Sequence, residues 1–183
     1  MSEWLLLASS LPTGLAIMIS YAIVLANFGG FFPLPDSMTS SSYFDSPYWL
    51  GLPRNSAAAV TVLQLFAALG YFMWIFWIVQ AESIENSILS TRMARLLLLQ
   101  GFLISSVIWP FTTYNYVITP TLSTAILASA PLWSAAICMI LLIGGTFEAM
   151  APPHAIIGIL WLGMIVVLAD GVGWSAVCIK RVV

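Results

Sequence analysis

Charge is what this sequence has least of. Only 7% of its 183 residues are Asp, Glu, Lys or Arg, 61% are hydrophobic, and the mean hydropathy is +1.03. A soluble domain carries about 25% charged residues because its surface must face water. Too few are present here to cover such a surface, so lipid is the expected solvent for most of the chain. Five basic against seven acidic residues give a net charge of -2, which leaves no basic patch for nucleic acid or a polybasic lipid contact. The single histidine, His154, excludes a multi-histidine metal or haem site made by this chain alone. Two cysteines, Cys138 and Cys178, both fall in apolar segments and read as small buried hydrophobes rather than as a disulfide or metal framework. Also missing are an N-x-[ST] sequon, a TVGYG filter, a Gly-rich phosphate loop, H-E-x-x-H and G-x-S-x-G. Enzymatic catalysis by this chain is therefore not expected, and the spans hold no ladder of buried charges of the kind coupled transporters use.

Long apolar runs are what the chain does have. A bilayer core of about 30 Å takes about 20 apolar residues as helix, and five segments qualify: 4–28, 55–80, 95–118, 122–147 and 154–179. They lack the apolar/polar alternation of barrel strands, and a helix satisfies its own backbone hydrogen bonds in lipid. The expected fold is all-α, a single membrane domain over residues 1–183 with about five transmembrane helices. The first segment lacks a basic n-region and is too long for a signal-peptide core, so it is expected to remain as a span. The host membrane is not specified.

The connection 29–54 is the only long one, and it mixes Pro33, Pro35, Pro47 and Pro53 with aromatics that include Tyr43 and Trp49. Such a loop is expected to fold back onto the membrane surface, either as an interfacial anchor or as a lid over a cavity. In the second connection, Glu82, Glu85, Arg92 and Arg95 are expected to pair at the water interface, with Ser90 or Thr91 capping the third helix. The short link at Thr119-Pro120 makes the third and fourth spans antiparallel neighbours. Pro12, Pro110 and Pro131 fall inside spans, where proline frees a carbonyl and tends to kink the helix.

Asp170 is the most informative single residue. It lies in the last span at hydrocarbon depth, where a carboxylate is expensive and by default marks a functional site. Two readings stand: a group serving proton relay, or a structural bond to the end of the bundle that holds Arg54, Lys180 and Arg181. Gly171 and Gly173 beside it would permit close helix approach or a local break. His154, near Glu148 in sequence, reads either as half of a proton-handling pair or as an interfacial helix-start residue. The aromatics Tyr71, Trp74, Trp77, Trp109 and Trp161 form the candidate ligand-binding set, suited to a flat apolar molecule. The alternative is that they serve as interface belts and helix packing.

The stretch LFAALGYFMWIFW, residues 65–77, resembles the second span of the translocator protein family, also called tryptophan-rich sensory proteins. That family shows a leucine–tyrosine start, a glycine, and a tryptophan seven residues after it. Gly70, Tyr71 and Trp77 fall on such positions, with Phe66 in place of the tyrosine. Gln100 and Trp109-Pro110-Phe111 resemble the family's tryptophan–proline–phenylalanine region, although here the tryptophan and proline are adjacent and the preceding asparagine is absent. Five spans, a long aromatic first loop and short later loops are also similar. The resemblance implies a bundle that binds porphyrin- or sterol-like ligands with the first loop as a lid.

The leading functional expectation is a non-enzymatic membrane protein that binds or passes an apolar or amphipathic small molecule. Its candidate ligands are a porphyrin, a sterol or a lipid, none bound covalently. The alternatives are an accessory subunit of a larger membrane complex and a small channel or transporter using Asp170. Expected partners are membrane lipid, other membrane subunits or a second copy of the chain.

Overall fold

The computed structural model of the chain describes residues 8–17, 19, 49–50, 52–81 and 84–182; among these it is helical apart from turns and short connections, with no strand. Residues 8–17 form helix α1. The rest of the expected first span, and the connection up to residue 48 with Tyr43, lie outside the described residues.

Four helices are long and apolar enough to cross a membrane: α2 (Arg54–Gln80), α3 (Arg92–Ile118), α4 (Leu122–Glu148) and a last span, Pro153–Lys180. The first three have 27 residues and the last 28, about 40 Å of helix at 1.5 Å per residue, so their ends project beyond a hydrocarbon core of about 30 Å. The last span is composite. It begins as α5 (Pro153–Gly163), opens into a π-helical segment (Met164–Trp174) and returns to α-geometry in α6 (Ser175–Lys180).

Local chemistry sets the helix starts. Thr91 accepts the Ala94 N–H, which starts α3 at Arg92, ahead of the residue 95 expected from apolar content. Thr121 and Thr124 form a reciprocal capping box at the start of α4, which satisfies two amides that would otherwise have no partner. Pro152 and Pro153 open α5, where proline lacks nothing the helix needs.

The α3–α4 pair is the expected antiparallel hairpin, α2 lies along α5, and the last span sits between α2 and α4. Glycine sets the approach of α2 to α5. A Cβ on Gly70 would collide with the Gly158 carbonyl oxygen, and one on Gly158 would lie 2.6 Å from the Gly70 oxygen. Two bare backbones in contact gain dispersion that larger side chains would forfeit, the usual way helices associate where lipid removes the hydrophobic driving force.

The outside of the bundle is apolar. Leu65, Phe76, Leu97, Leu127, Leu168 and Val172 are each at least 60% exposed. A water-soluble monomer does not cover its surface this way; a bilayer is the solvent that this exterior fits.

Two cores divide the interior. At the closed end, where α2 finishes and α3 begins, Trp74, Ile78, Leu99, Leu103, Met139, Leu142 and Ile159 pack together. At the other end, Trp109, Tyr116, Leu132, Trp174 and Cys178 form a second cluster with Trp49 and Leu50.

One charge is not where the sequence put it. Arg95, expected at the water interface, is buried at the closed end and directs Nη1 at the carbonyls of Ile78 and Ala81, 3.5 and 3.3 Å away. The final carbonyls of α2 have no intrahelical donors and carry the negative end of the helix dipole, so a guanidinium is drawn to them. The 84–91 connection folds onto the same end. Ser87 Oγ donates to the Gly145 oxygen at 2.7 Å, and Glu148 accepts the Ile88 N–H at 3.0 Å. Glu85 is exposed, and Glu82 lies outside the described residues.

Candidate functional site

The π-helical segment is where the last span departs from regular geometry, and it contains Asp170. A π-turn adds a residue per turn, widens the helix and re-aims the side chains within it, a feature frequent at functional sites. Gly171 seats this wider segment against α4: a Cβ there would come within 2.9 Å of the Ala136 Cβ. Asp170 and Trp174, four residues apart, border the same space.

That space is a half-open cavity of about 220 Å³. Trp49 and Leu52 close it from the turn before α2, Val60 and Gln64 from α2, and Trp109 from α3. Ala169, Asp170, Gly173, Trp174 and Val177 complete it from the last span. The three indoles are each no more than 7% exposed. Trp49 and Trp109 both meet Trp174 edge to face, with centroids 6.1 and 5.7 Å apart and interplanar angles of 74° and 78°. Both separations lie in the favourable range for aromatic pairs. Ring packing holds Trp174, whose Nε1 has no hydrogen-bond partner among the described residues. Trp49 sits in a turn closed by the Leu52 N–H to the Trp49 oxygen at 2.9 Å. Its neighbour Leu50 adopts φ 51°, a left-handed conformation that costs an L-residue about 1–2 kcal/mol and is held by its burial.

The polar lining is sparse, consisting of the Gln64 amide and the Asp170 carboxylate. Asp170 is half-buried and makes no hydrogen bond or ion pair among the described residues. Arg54, Lys180 and Arg181 are exposed, and among the described residues no neighbouring charge compensates the carboxylate. The structural bond anticipated with that basic end is not formed.

The aromatic residues singled out in the sequence separate. Trp109 lines the cavity, as does Trp49 from the anticipated lid. Trp74 is fully buried at the closed end, where its Nε1 donates to Thr146 Oγ1 at 2.9 Å. Tyr71 hydrogen-bonds Ser10 of α1 and packs edge-on to Phe72. Trp77 packs on the closed-end core. Trp161 meets Phe66 edge-on at 5.5 Å, on a side where Phe66 is 47% exposed. Of the candidate set, then, only Trp109 borders the cavity. Trp174 is one of the span aromatics open to a pocket role but stands outside that set, and Gln64 is not singled out by the sequence reading, although an amide in an apolar span is a visible signal.

Trp49, Trp74, Trp109 and Trp174 are buried and Phe66, Phe72, Phe76 and Phe147 are exposed, but Trp133 is 41% exposed and Phe102 only 5%, so residue type alone does not fix which way an aromatic faces. His154 is exposed in the first turn of α5. No family model matches the chain, and neither the curated proteins nor the solved structures contain a detectable relative.

Proposed function

We propose that this chain is a non-enzymatic integral membrane protein that takes the head of an amphipathic small molecule into the cavity between α2, α3 and the last span. The observation that carries this reading is the cavity itself: three indole walls, one amide and one uncompensated carboxylate at membrane depth. Binding sites are typically apolar and aromatic with a few placed polar groups. Residues 4–28 supply a fifth span in this proposal. The resemblance to the translocator protein family is compatible with it through topology, because Gly70, Tyr71 and Trp77 serve helix packing and do not border the cavity. A volume of about 220 Å³ is below the ~300–1,000 Å³ usual for sites that enclose a ligand whole. A porphyrin or sterol would therefore protrude, and a compact head with its tail left among helices or lipid suits the space better.

One observation favours a second reading. Phe66, Phe72 and Phe76 of α2 are 47%, 57% and 64% exposed, an aromatic face that a neighbouring membrane subunit or a second copy of the chain would cover. In a channel or transporter, by contrast, Asp170 would be the group that engages the passing solute.

Titration with a short nitroxide-labelled amphiphile tests the cavity through tryptophan quenching. Saturable quenching that is lost in Trp109→Phe/Trp174→Phe, and kept in Trp77→Phe/Trp161→Phe, is the expected result. Quenching that never saturates, or that ignores the first pair in a folded protein, would overturn it.

A further inference from the structure

The cavity's composition says more than that it is apolar. A carboxylate at hydrocarbon depth without a partner is unfavourable, yet the chain places its basic residues near enough in sequence to supply one. Arg54, Lys180 and Arg181 all belong to the cavity end, and all three are exposed. The space beside Asp170 is walled by indoles. Trp49 and Trp109 each meet Trp174 edge to face, at 74° and 78°, so the three rings border the space in more than one orientation.

Indole faces carry negative quadrupole density, and tryptophan is the best aromatic partner for a cation; aromatic boxes of this kind recognise quaternary ammonium groups. A carboxylate adds the full countercharge. An anion would be repelled by the Asp170 carboxylate. A neutral head would leave Asp170 without a counter-ion, to be neutralised by a proton instead. The volume of about 220 Å³ equals that of roughly seven waters at about 30 Å³ each, ample for a trimethylammonium group of four non-hydrogen atoms.

Resting on the proposed binding role, we propose that the occupant is an organic cation, a quaternary or alkylated ammonium, with Asp170 as its counter-ion and Trp49, Trp109 and Trp174 as its cage. Gln64 is the polar neighbour that accommodates a substituent on the head. Two sources could present this chemistry, a soluble ammonium compound and a choline-type lipid headgroup.

The test is a titration of the full chain in a non-ionic detergent with choline and with its neutral isostere, 3,3-dimethyl-1-butanol, read by tryptophan fluorescence and calorimetry. The cation is expected to bind at least roughly tenfold more tightly than the isostere. In Asp170→Asn that preference collapses while binding of the isostere is unchanged. Trp109→Leu, a second variant that keeps the carboxylate, weakens the cation more than the isostere. Thermal unfolding confirms that each variant is folded.

Equal binding of cation and isostere, or a preference that survives Asp170→Asn, overturns the cation assignment and leaves the binding cavity standing. Binding of neither, together with no saturable quenching by the labelled amphiphile, overturns both. Short-chain phosphatidylcholine as competitor, with phosphatidylglycerol as control, separates the sources. Selective displacement by the former assigns a lipid headgroup, and no displacement assigns a soluble ammonium; either result supports the cage.

Discussion

At the closed end of the bundle, Trp74 is fully buried and its Nε1 finds Thr146 Oγ1 at 2.9 Å; at the cavity end, Trp174 is almost as buried and its Nε1 has no partner among the described residues. The same contrast recurs around these two residues. Gly70 and Gly158 bring backbones into contact near Trp74, and Arg95 completes the last turn of α2. Near Trp174 the last span widens into a π-helix and leaves a carboxylate uncompensated beside a void. Close packing with satisfied polar groups is what stabilises an interior. A region that forgoes both is where local rules have yielded to something else, and binding is the natural candidate. One end of the molecule is closely packed; the other leaves the cavity on which the proposed binding role rests.

That contrast can be broken most directly at the glycine contact. Gly158→Leu would drive a side chain into the backbone of α2, where the Gly70 oxygen is 2.6 Å and the Trp74 nitrogen 3.2 Å from a Cβ. A loss of about 3 kcal/mol or more is expected in detergent-denaturation experiments, with Gly70→Ala costing about 1–3 kcal/mol. Unchanged stability in both would mean that α2 and α5 do not touch there.

The hydrogen bond of Trp74 is the next test. Thr146→Val keeps the shape and removes the acceptor, leaving a buried N–H unsatisfied at a cost of about 1–3 kcal/mol. Adding Trp74→Phe to that variant should cost less than Trp74→Phe in the parent, because the orphaned donor has gone. Additive losses would show that the pair is not coupled.

The smallest effect belongs to the cavity end. At Gly173 a Cβ meets only the Leu168 oxygen, at 3.3 Å. Gly173→Ala is therefore expected to stay within about 1 kcal/mol of the parent, since the lower backbone entropy of alanine offsets the contact. A loss as large as that of Gly70→Ala would erase the distinction between the two ends.

Much of this architecture is legible along the chain. The four described spans begin and end within three residues of where apolar content puts them, and the largest shift, at the start of α3, has a local cause in the Thr91 cap. Asp170 could be singled out because a carboxylate in an apolar run has few explanations. The tryptophans could not be sorted. Trp74 and Trp77 share a helix face three residues apart, which suits a pocket wall and a packed seam equally. The Gly70–Gly158 contact, made across 88 residues of chain, turns that face into a seam. Trp49, Gln64, Trp109 and Trp174 sit on four separate stretches, and no local pattern announces that they meet.

Sequence alone determined the solvent, the helices and the presence of a costly carboxylate, because hydropathy, length and charge are properties of contiguous residues. Tertiary structure decided which aromatics became walls and which became mortar, and whether Asp170 would find a basic partner. Those outcomes depend on how bare backbone and a widened helix bring distant segments together, and packing of that kind is not written in any single run of residues.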